Sequence, residues 1–317
     1  VILGGLGALW LFSTKLTTPE WKVWIPVEIQ LYLPGIFNQA PLLFTLLTGG
    51  SFLFLLGLYD DRRPLPAKVK LGLQLGVAFF FLIHFLDVES EERSIQFLVR
   101  FYWISFPLLL LWIVGITNAF NLLDNMDGLS SGVVFISALN LLMVCLNTKQ
   151  PFVGALLLVL MGANLGFLLY NFSPAKIFMG DCGSLFMGYL IAVSMILCFT
   201  AQEGEWFYPL VVPLLILAVP LYDTFSVMWI RLRSGRSIFQ ADNHHFSHRL
   251  VALGFSRPAA VCLIYLVTFT TGITATLLDR VDLRGGILIS LQVFCTLMII
   301  ALLEGSSLPK KEESVKK

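Results

Sequence analysis

This chain of 317 residues is 57% hydrophobic and only 13% charged, with a formal net charge of +1. So little charge excludes a soluble domain of this size, whose surface would need far more of it, and the mean hydropathy of +0.84 agrees. The near-zero balance itself says little about partners, because the charges are segregated by loop; no nucleic acid is expected.

Apolar runs recur along the whole length, each suited to a hydrocarbon core of roughly 30 Å crossed at about 1.5 Å per residue. Spans are predicted over 1–16, 42–59, 67–86, 104–122, 129–146, 151–170, 184–200, 208–230, 258–278 and 286–303, ten in all. The fold class is therefore all-α, a polytopic membrane helix bundle. Residues 1–303 read as a single transmembrane domain and 304–317 as a charged, disordered tail. Gly and Pro fall mainly near span ends, and those inside spans are tolerable where neighbouring helices satisfy the backbone.

Lysine and arginine in the short loops set the orientation. They gather in DDRRPLPAKVK, in RLRSGRSIFQADNHHFSHRLVALGFSR and in the tail PKKEESVKK. With alternating spans all three fall on one side, expected to be cytoplasmic, and the acid-rich DVESEER and QEGEW fall opposite. The five cysteines form no CxxC pair and sit mostly in apolar runs, as inert reduced thiols do.

Four polar clusters interrupt this pattern. In LYDDRRPLPAKVKLGLQ, Asp60 and Asp61 end one span while Lys68 and Lys70 open the next. Adjacent carboxylates at a membrane boundary repel unless a cation or a proton sits near them. The plainer alternative is a solvated helix end carrying a topology signal. In NAFNLLDNMDGLSSG, Asn118, Asn121, Asp124 and Asp127 fall three apart. On a continuing helix they form one polar stripe. An aspartate within hydrocarbon costs about 2.5–3.5 kcal/mol, so such a stripe turns to a bundle interior or a wet cavity. An Asx-rich turn capping two helices would account for one or two of the four.

In KIFMGDCGSLFMG, Asp181 lies between Gly180 and Gly183, with Ser184 behind it. A helix N-terminus after glycines presents N–H groups to an anion, and an aspartate there can hold a divalent cation shared with that anion. The alternative is an Asp or Ser N-cap. In DNHHFSHRL, the spacing of His244, His245 and His248 resembles a zinc site, but no HExxH pattern or Cys partner accompanies it. Histidine and arginine donors reading a phosphate or pyrophosphate fit better, with Arg249 among them.

Acids from three loops and basic donors from a fourth are thus expected on one membrane face. Neither GxxxxGKS/T nor GxGxxG occurs. Carboxylates holding Mg2+ among cationic donors is the arrangement of phosphoryl chemistry. At a bilayer surface it suggests a lipid substrate and a soluble, phosphate-bearing one.

In order along the chain, DDRRPLPAKVKLGLQ, NAFNLLDNMDG, FMGDCGSL and HHFSHRL resemble the polyprenyl-phosphate N-acetylhexosamine-1-phosphate transferases, the glycosyltransferase family 4 enzymes that start bacterial envelope glycan assembly. The initial GGLGAL resembles the start of that family's second helix, so eleven spans are expected in the full-length protein, the first preceding Val1. The resemblance implies attack by the phosphate oxygen of undecaprenyl phosphate on the sugar-linked phosphorus of a UDP-N-acetylhexosamine, most simply UDP-GlcNAc, with loss of UMP. It implies Mg2+, with Mn2+ able to substitute, held by Asp181 with Asp124 close to metal and nucleotide. Asp60, Asp61 and Asp124 are the implied catalytic carboxylates, one of the Asp60–Asp61 pair deprotonating or positioning the lipid phosphate. Asn118, Asn121 and Asp127 would line the nucleotide pocket and Phe178 would stack on uracil. Lys70, His245, His248 and Arg249 would contact phosphates or sugar. The implied setting is the bacterial cytoplasmic membrane with the active site on its cytoplasmic face, and a homodimer is open to it.

Two positions depart from the family's motifs. Aligning on His248-Arg249-Leu250 puts Ser247 where a middle histidine is usual, and Asn125 stands where glycine is usual. The retained HRL favours the N-acetylhexosamine branch over phospho-MurNAc-pentapeptide transfer. Asp223, in VPLYDT, matches an intramembrane aspartate of the pattern without an assigned role. Two other classes compete: a transporter, whose charged sites usually lie at the midplane of related halves, and a non-enzymatic scaffold.

Overall fold

Long apolar stretches without a water-exposed backbone have one solution in a bilayer, which is to satisfy every N–H and C=O within a helix. The computed structural model describes residues 39–89, 102–148, 150–200, 207–237 and 245–307. The expected first span, QEGEW, most of DVESEER, and His244 lie outside the described residues. Every described element is helical: α1 Ala40–Asp60, α2 Ala67–Glu89, α3 Tyr102–Leu123, α4 Leu129–Asn147, α5 Pro151–Asn171, α6 Gly180–Thr200, α7 Phe207–Ile216, α8 Ala218–Arg233, α9 Phe246–Ala252, α10 Arg257–Ala275, a 3-10 turn Leu278–Arg280, and α11 Leu283–Ser307. Among the described residues eight helices are long and apolar enough to cross a membrane, and the α7–α8 pair makes a ninth if counted as one span.

Two expectations are corrected. The span predicted over 208–230 is broken into α7 and α8, which bend by 75°. A proline ring at 220 clashes with the carbonyl four residues back and brings no N–H of its own. Ile216 is where α7 stops. The span predicted over 286–303 is longer at its C-terminal end: α11 runs to Ser307, and Glu304 is buried within it.

The chain sorts into two compact units. The first holds α1, α2, most of α3, the opening of α5 and all of α6; the second holds the rest. In the first unit α1 packs most extensively on α6 and also on α2. Small residues set that approach. A β-carbon at Gly49 would lie 2.5 Å from the Tyr189 hydroxyl, and one at Gly57 would lie 2.4 Å from the backbone of Asp181 and Cys182. Gly57 therefore brings the end of α1 against the start of α6.

In the second unit α10 is the hub, packing on α4, α7, α8, α9 and α11. Gly132 of α4 accepts the Tyr265 ring and Gly272 of α10 accepts the Asn140 side chain. Between α7, α8 and α11 runs an apolar groove of about 750 Å³, lined by residues such as Leu214, Phe225, Leu291 and Phe294.

Candidate active site

In the first unit, the end of α1, the start of α2 and the start of α6 meet. Asp61, just past the last residue of α1, accepts hydrogen bonds from the Asp181 N–H at 2.8 Å and the Cys182 N–H at 3.2 Å. The N-terminus of α6, with its orphan donors and positive dipole end, is thus covered by a carboxylate of this same chain. Gly180 makes the entry possible: its φ of 63° is left-handed, and a β-carbon there would meet Asp61. Asp60 turns the other way. Its Oδ1 accepts the Leu65 N–H at 2.7 Å and its Oδ2 accepts Lys70 Nζ at 2.8 Å.

Lys70 Nζ also donates to Asp181 Oδ2. One ammonium therefore bridges carboxylates that are 121 positions apart in sequence, with the Lys70 side chain only 18% exposed. The repulsion expected of the acidic pair is relieved by this cation, in surroundings where charge-assisted bonds are strong. Asn118 sits deeper. Its Nδ2 donates to Gln74 Oε1 at 2.5 Å and to the Val114 carbonyl at 2.8 Å, so it clasps α3 to α2. Gln74, buried at the α2–α3 contact, carried no signal in the sequence beyond being polar in an apolar run.

In the second unit, α3 ends at Leu123 and Asp124 lies just beyond it. The polar stripe therefore stops at Asn121, and Asp124 and Asp127 belong to the turn that leads into α4. Gly128 closes that turn at a φ of 76°. Its N–H goes to Asn171 Oδ1 at 3.0 Å and its carbonyl accepts the Tyr265 hydroxyl. Asp127 Oδ2 accepts the Ala175 N–H at 3.1 Å, and Asn171 Nδ2 donates to the Ile177 carbonyl at 2.9 Å. These bonds fix the 172–178 loop while leaving the Phe178 ring 78% exposed, open to stacking.

The histidine cluster is held by acids that the sequence left without a role. Asp223, only 1% exposed, accepts the Phe246 N–H at 2.6 Å and pairs with His245 Nδ1 at 2.9 Å. Arg249, for which the resemblance implied phosphate or sugar contact, is buried. Its Nε donates to Glu304 Oε2 at 3.0 Å and its second terminal nitrogen to Ser226 Oγ at 2.7 Å. The same Glu304 oxygen accepts the Tyr222 hydroxyl at 2.7 Å. Beside them, Ser247 Oγ donates to Asn125 Oδ1 at 2.5 Å.

His248 keeps more exposure. Partial burial, then the neighbouring His245 and the Arg257 guanidinium, hold its imidazole below the usual value near 6.5, against an opposing pull from Asp223. The unfolded chain therefore takes up the proton first as pH falls. His248's share of stability is complete above about pH 6.5 and is lost as pH drops through that value toward the lower folded one. The thermal midpoint of the detergent-solubilised protein is expected to fall between pH 7.5 and 5.5, and to fall less in His248→Gln. An equal fall in both removes this residue from the account.

Among the described residues no three His, Cys, Asp or Glu side chains converge as a ready metal cage. Magnesium does not require one, since it takes one or two carboxylates and completes its shell with water and substrate phosphates. Asp181 suits that mode: an all-oxygen donor with 27% of its side chain exposed, at a helix start and beside a second carboxylate, Asp60, that shares its lysine.

Residues 43–199 match the family model described as glycosyl transferase family 4. The chain is 36% identical over 287 residues to a probable undecaprenyl-phosphate N-acetylglucosaminyl 1-phosphate transferase of Bacillus subtilis (strain 168), covering 89% of this chain and 78% of that protein. It is 36% identical over 272 residues to a phospho-N-acetylmuramoyl-pentapeptide-transferase of Streptococcus suis (strain 05ZYH33), covering 77% and 78%. A decaprenyl-phosphate N-acetylglucosaminephosphotransferase of Mycobacterium tuberculosis (strain ATCC 25618 / H37Rv) is 32% identical over 240 residues, covering 69% of this chain and 59% of that protein.

Proposed function

This chain belongs to glycosyl transferase family 4 and is a multi-pass phosphoglycosyl transferase, and from that premise we propose that it transfers N-acetylglucosamine 1-phosphate from UDP-GlcNAc to undecaprenyl phosphate at the cytoplasmic face of a bacterial inner membrane. The observation that carries the site is the Lys70 bridge between Asp60 and Asp181. A lysine shared by two acids can be drawn to an incoming phosphate, and its departure frees both carboxylates at once.

In this reading a lipid phosphate oxygen forms a bond to the sugar-bearing phosphorus, and the bond from that phosphorus to the bridging oxygen breaks, so UMP leaves. Asp60 Oδ2, released by Lys70, takes the proton of a monoprotonated lipid phosphate and orients its oxygen. Asp61 keeps both oxygens on the α6 N–H groups, so its part is to hold Asp181 in place. Asp181 is the carboxylate for magnesium. When bound, that ion neutralises the diphosphate oxygens and the charge growing on the departing UMP. In the second unit, taken by itself, the family resemblance assigns Asn121 of α3 and Asp124 of the turn after it to the nucleotide, and Phe178 offers an open ring on which a base can stack. His248, neutral at pH 7, donates to sugar or phosphate oxygens. The groove between α7, α8 and α11 has the chemistry of an isoprenoid chain. The HRL ending and the Bacillus relative favour the N-acetylglucosamine donor over the pentapeptide donor.

The test uses purified protein with undecaprenyl phosphate, Mg2+ and each UDP-sugar in turn, with UMP release as the signal. UMP is expected with UDP-GlcNAc and not with UDP-MurNAc-pentapeptide. Asp181→Asn should cut the rate by about a thousandfold, the scale of losing a charged group that stabilises the transition state. No UMP with any UDP-N-acetylhexosamine or with the pentapeptide donor overturns the proposal.

A further inference from the structure

By the resemblance to that family's motifs Asn125 and Ser247 stand where glycine and histidine are usual, and in this chain their side chains touch each other. Asn125 and Ser247 lie 122 residues apart in sequence, and the Ser247 hydroxyl donates to the Asn125 side-chain oxygen at 2.5 Å. The orientation of that amide is set independently, because its Nδ2 is committed to the Leu122 carbonyl at 2.9 Å, on the last turn of α3. With the nitrogen turned to that carbonyl, it is the amide oxygen that faces Ser247. Ser247 is 1% exposed, so an imidazole in its place would have to displace the Asn125 side chain. A glycine at 125 would in turn leave the serine hydroxyl buried without this acceptor. Each departure supplies what the other needs.

The position of the pair gives it a purpose. A helix of seven residues such as α9 does not hold itself, so its place comes from its ties. Asp223 ties His245 and the Phe246 N–H to α8, and Glu304 ties Arg249 to α11. The Ser247 bond ties α9 to the turn that carries Asp124 and Asp127. Resting on the transferase reading above, we infer that Asn125 and Ser247 form a latch that positions His245 and His248 against the Asp124–Asp127 turn and so sets the affinity for the UDP-sugar. Both are positioning residues. The latch is a neutral hydroxyl–amide bond, so it holds its geometry over the pH range in which His248 changes charge.

Because α9 keeps its two other ties, Ser247→Ala should fold and bind lipid normally. Its KM for UDP-GlcNAc is expected to rise about tenfold, with kcat and the KM for undecaprenyl phosphate unchanged. A purely structural role would instead shrink the active fraction and leave both KM values alone. Ser247→His by itself should lower kcat/KM by more than about thirtyfold, and adding Asn125→Gly should restore it to within about threefold of wild type, since contacting residues couple. An unchanged UDP-GlcNAc KM in Ser247→Ala, or a double variant no better than Ser247→His, overturns the latch. If the wild type releases no UMP with any donor, the transferase reading is what fails. The same cycle is then read from thermal midpoints, where non-additive shifts support the latch and additive ones overturn it.

Discussion

Replacing Lys70 with methionine is expected to lower UMP release between about a hundredfold and a thousandfold, the range seen when one charge-stabilising donor is removed from a preorganised site. Methionine keeps the length and apolar stem of the side chain, so the change isolates the ammonium. That ammonium is the group between Asp60 and Asp181. Without it, two carboxylates face each other with 13% and 27% of their side chains exposed, too little water to screen them well. The first consequence is a lower thermal midpoint. The second is a site with nothing to pull a lipid phosphate toward Asp60. Lys70→Arg should recover part of the stability and little of the rate, because a planar fork does not replace a compact point charge between two oxygens. Asp60→Asn combined with Lys70→Met should regain the midpoint, since the repulsion is gone, while turnover stays low. A methionine variant turning over near the wild-type rate would remove Lys70 from the chemistry.

How far the sequence foretold this arrangement differs from element to element. The spans were legible because hydropathy over about 20 residues is a strong signal, and α1 through α6 begin and end within a few residues of the expected limits. The break between α7 and α8 was visible only as Pro213 and Pro220, and proline inside a membrane helix is compatible with a continuous span as well as a broken one. In the first unit, Asp60, Asp61, Lys70 and Asp181 were each singled out, but their division of labour was not. Adjacent acids look alike in sequence, and only the approach permitted by Gly57 decides that Asp61 covers the α6 N-terminus while Asp60 meets Lys70. Glu304 was placed with the charged tail because three lysines and two more acids follow within nine residues of Ser307. Local composition says nothing of a partner 55 positions away. The HRL motif, from which the resemblance implies that Arg249 contacts phosphate or sugar, is equally silent about its partner on another helix.

That partner gives the prediction with the largest expected effect on stability. Glu304→Ala removes the oxygen that accepts both Arg249 Nε and the Tyr222 hydroxyl. Arg249 is only 7% exposed and cannot turn out to water without carrying α9 with it. Breaking one side of a buried ion pair costs about 3–5 kcal/mol, because the remaining charge is left uncompensated. The thermal midpoint in detergent should fall accordingly, and Arg249→Ala should fall by a comparable amount. Glu304→Gln should fall less, since an amide oxygen still accepts from Tyr222. The pair Arg249→Met with Glu304→Leu should recover most of the loss, because apolar side chains of similar volume replace buried charges at little cost. The double variant should still turn over slowly, since α9 then keeps its ties to Asp223 and Asn125 but lacks the one that fixes its far end. A wild-type midpoint in Glu304→Ala would mean that α9 is held by packing alone, and that the acid at the end of α11 has no hold on the histidines.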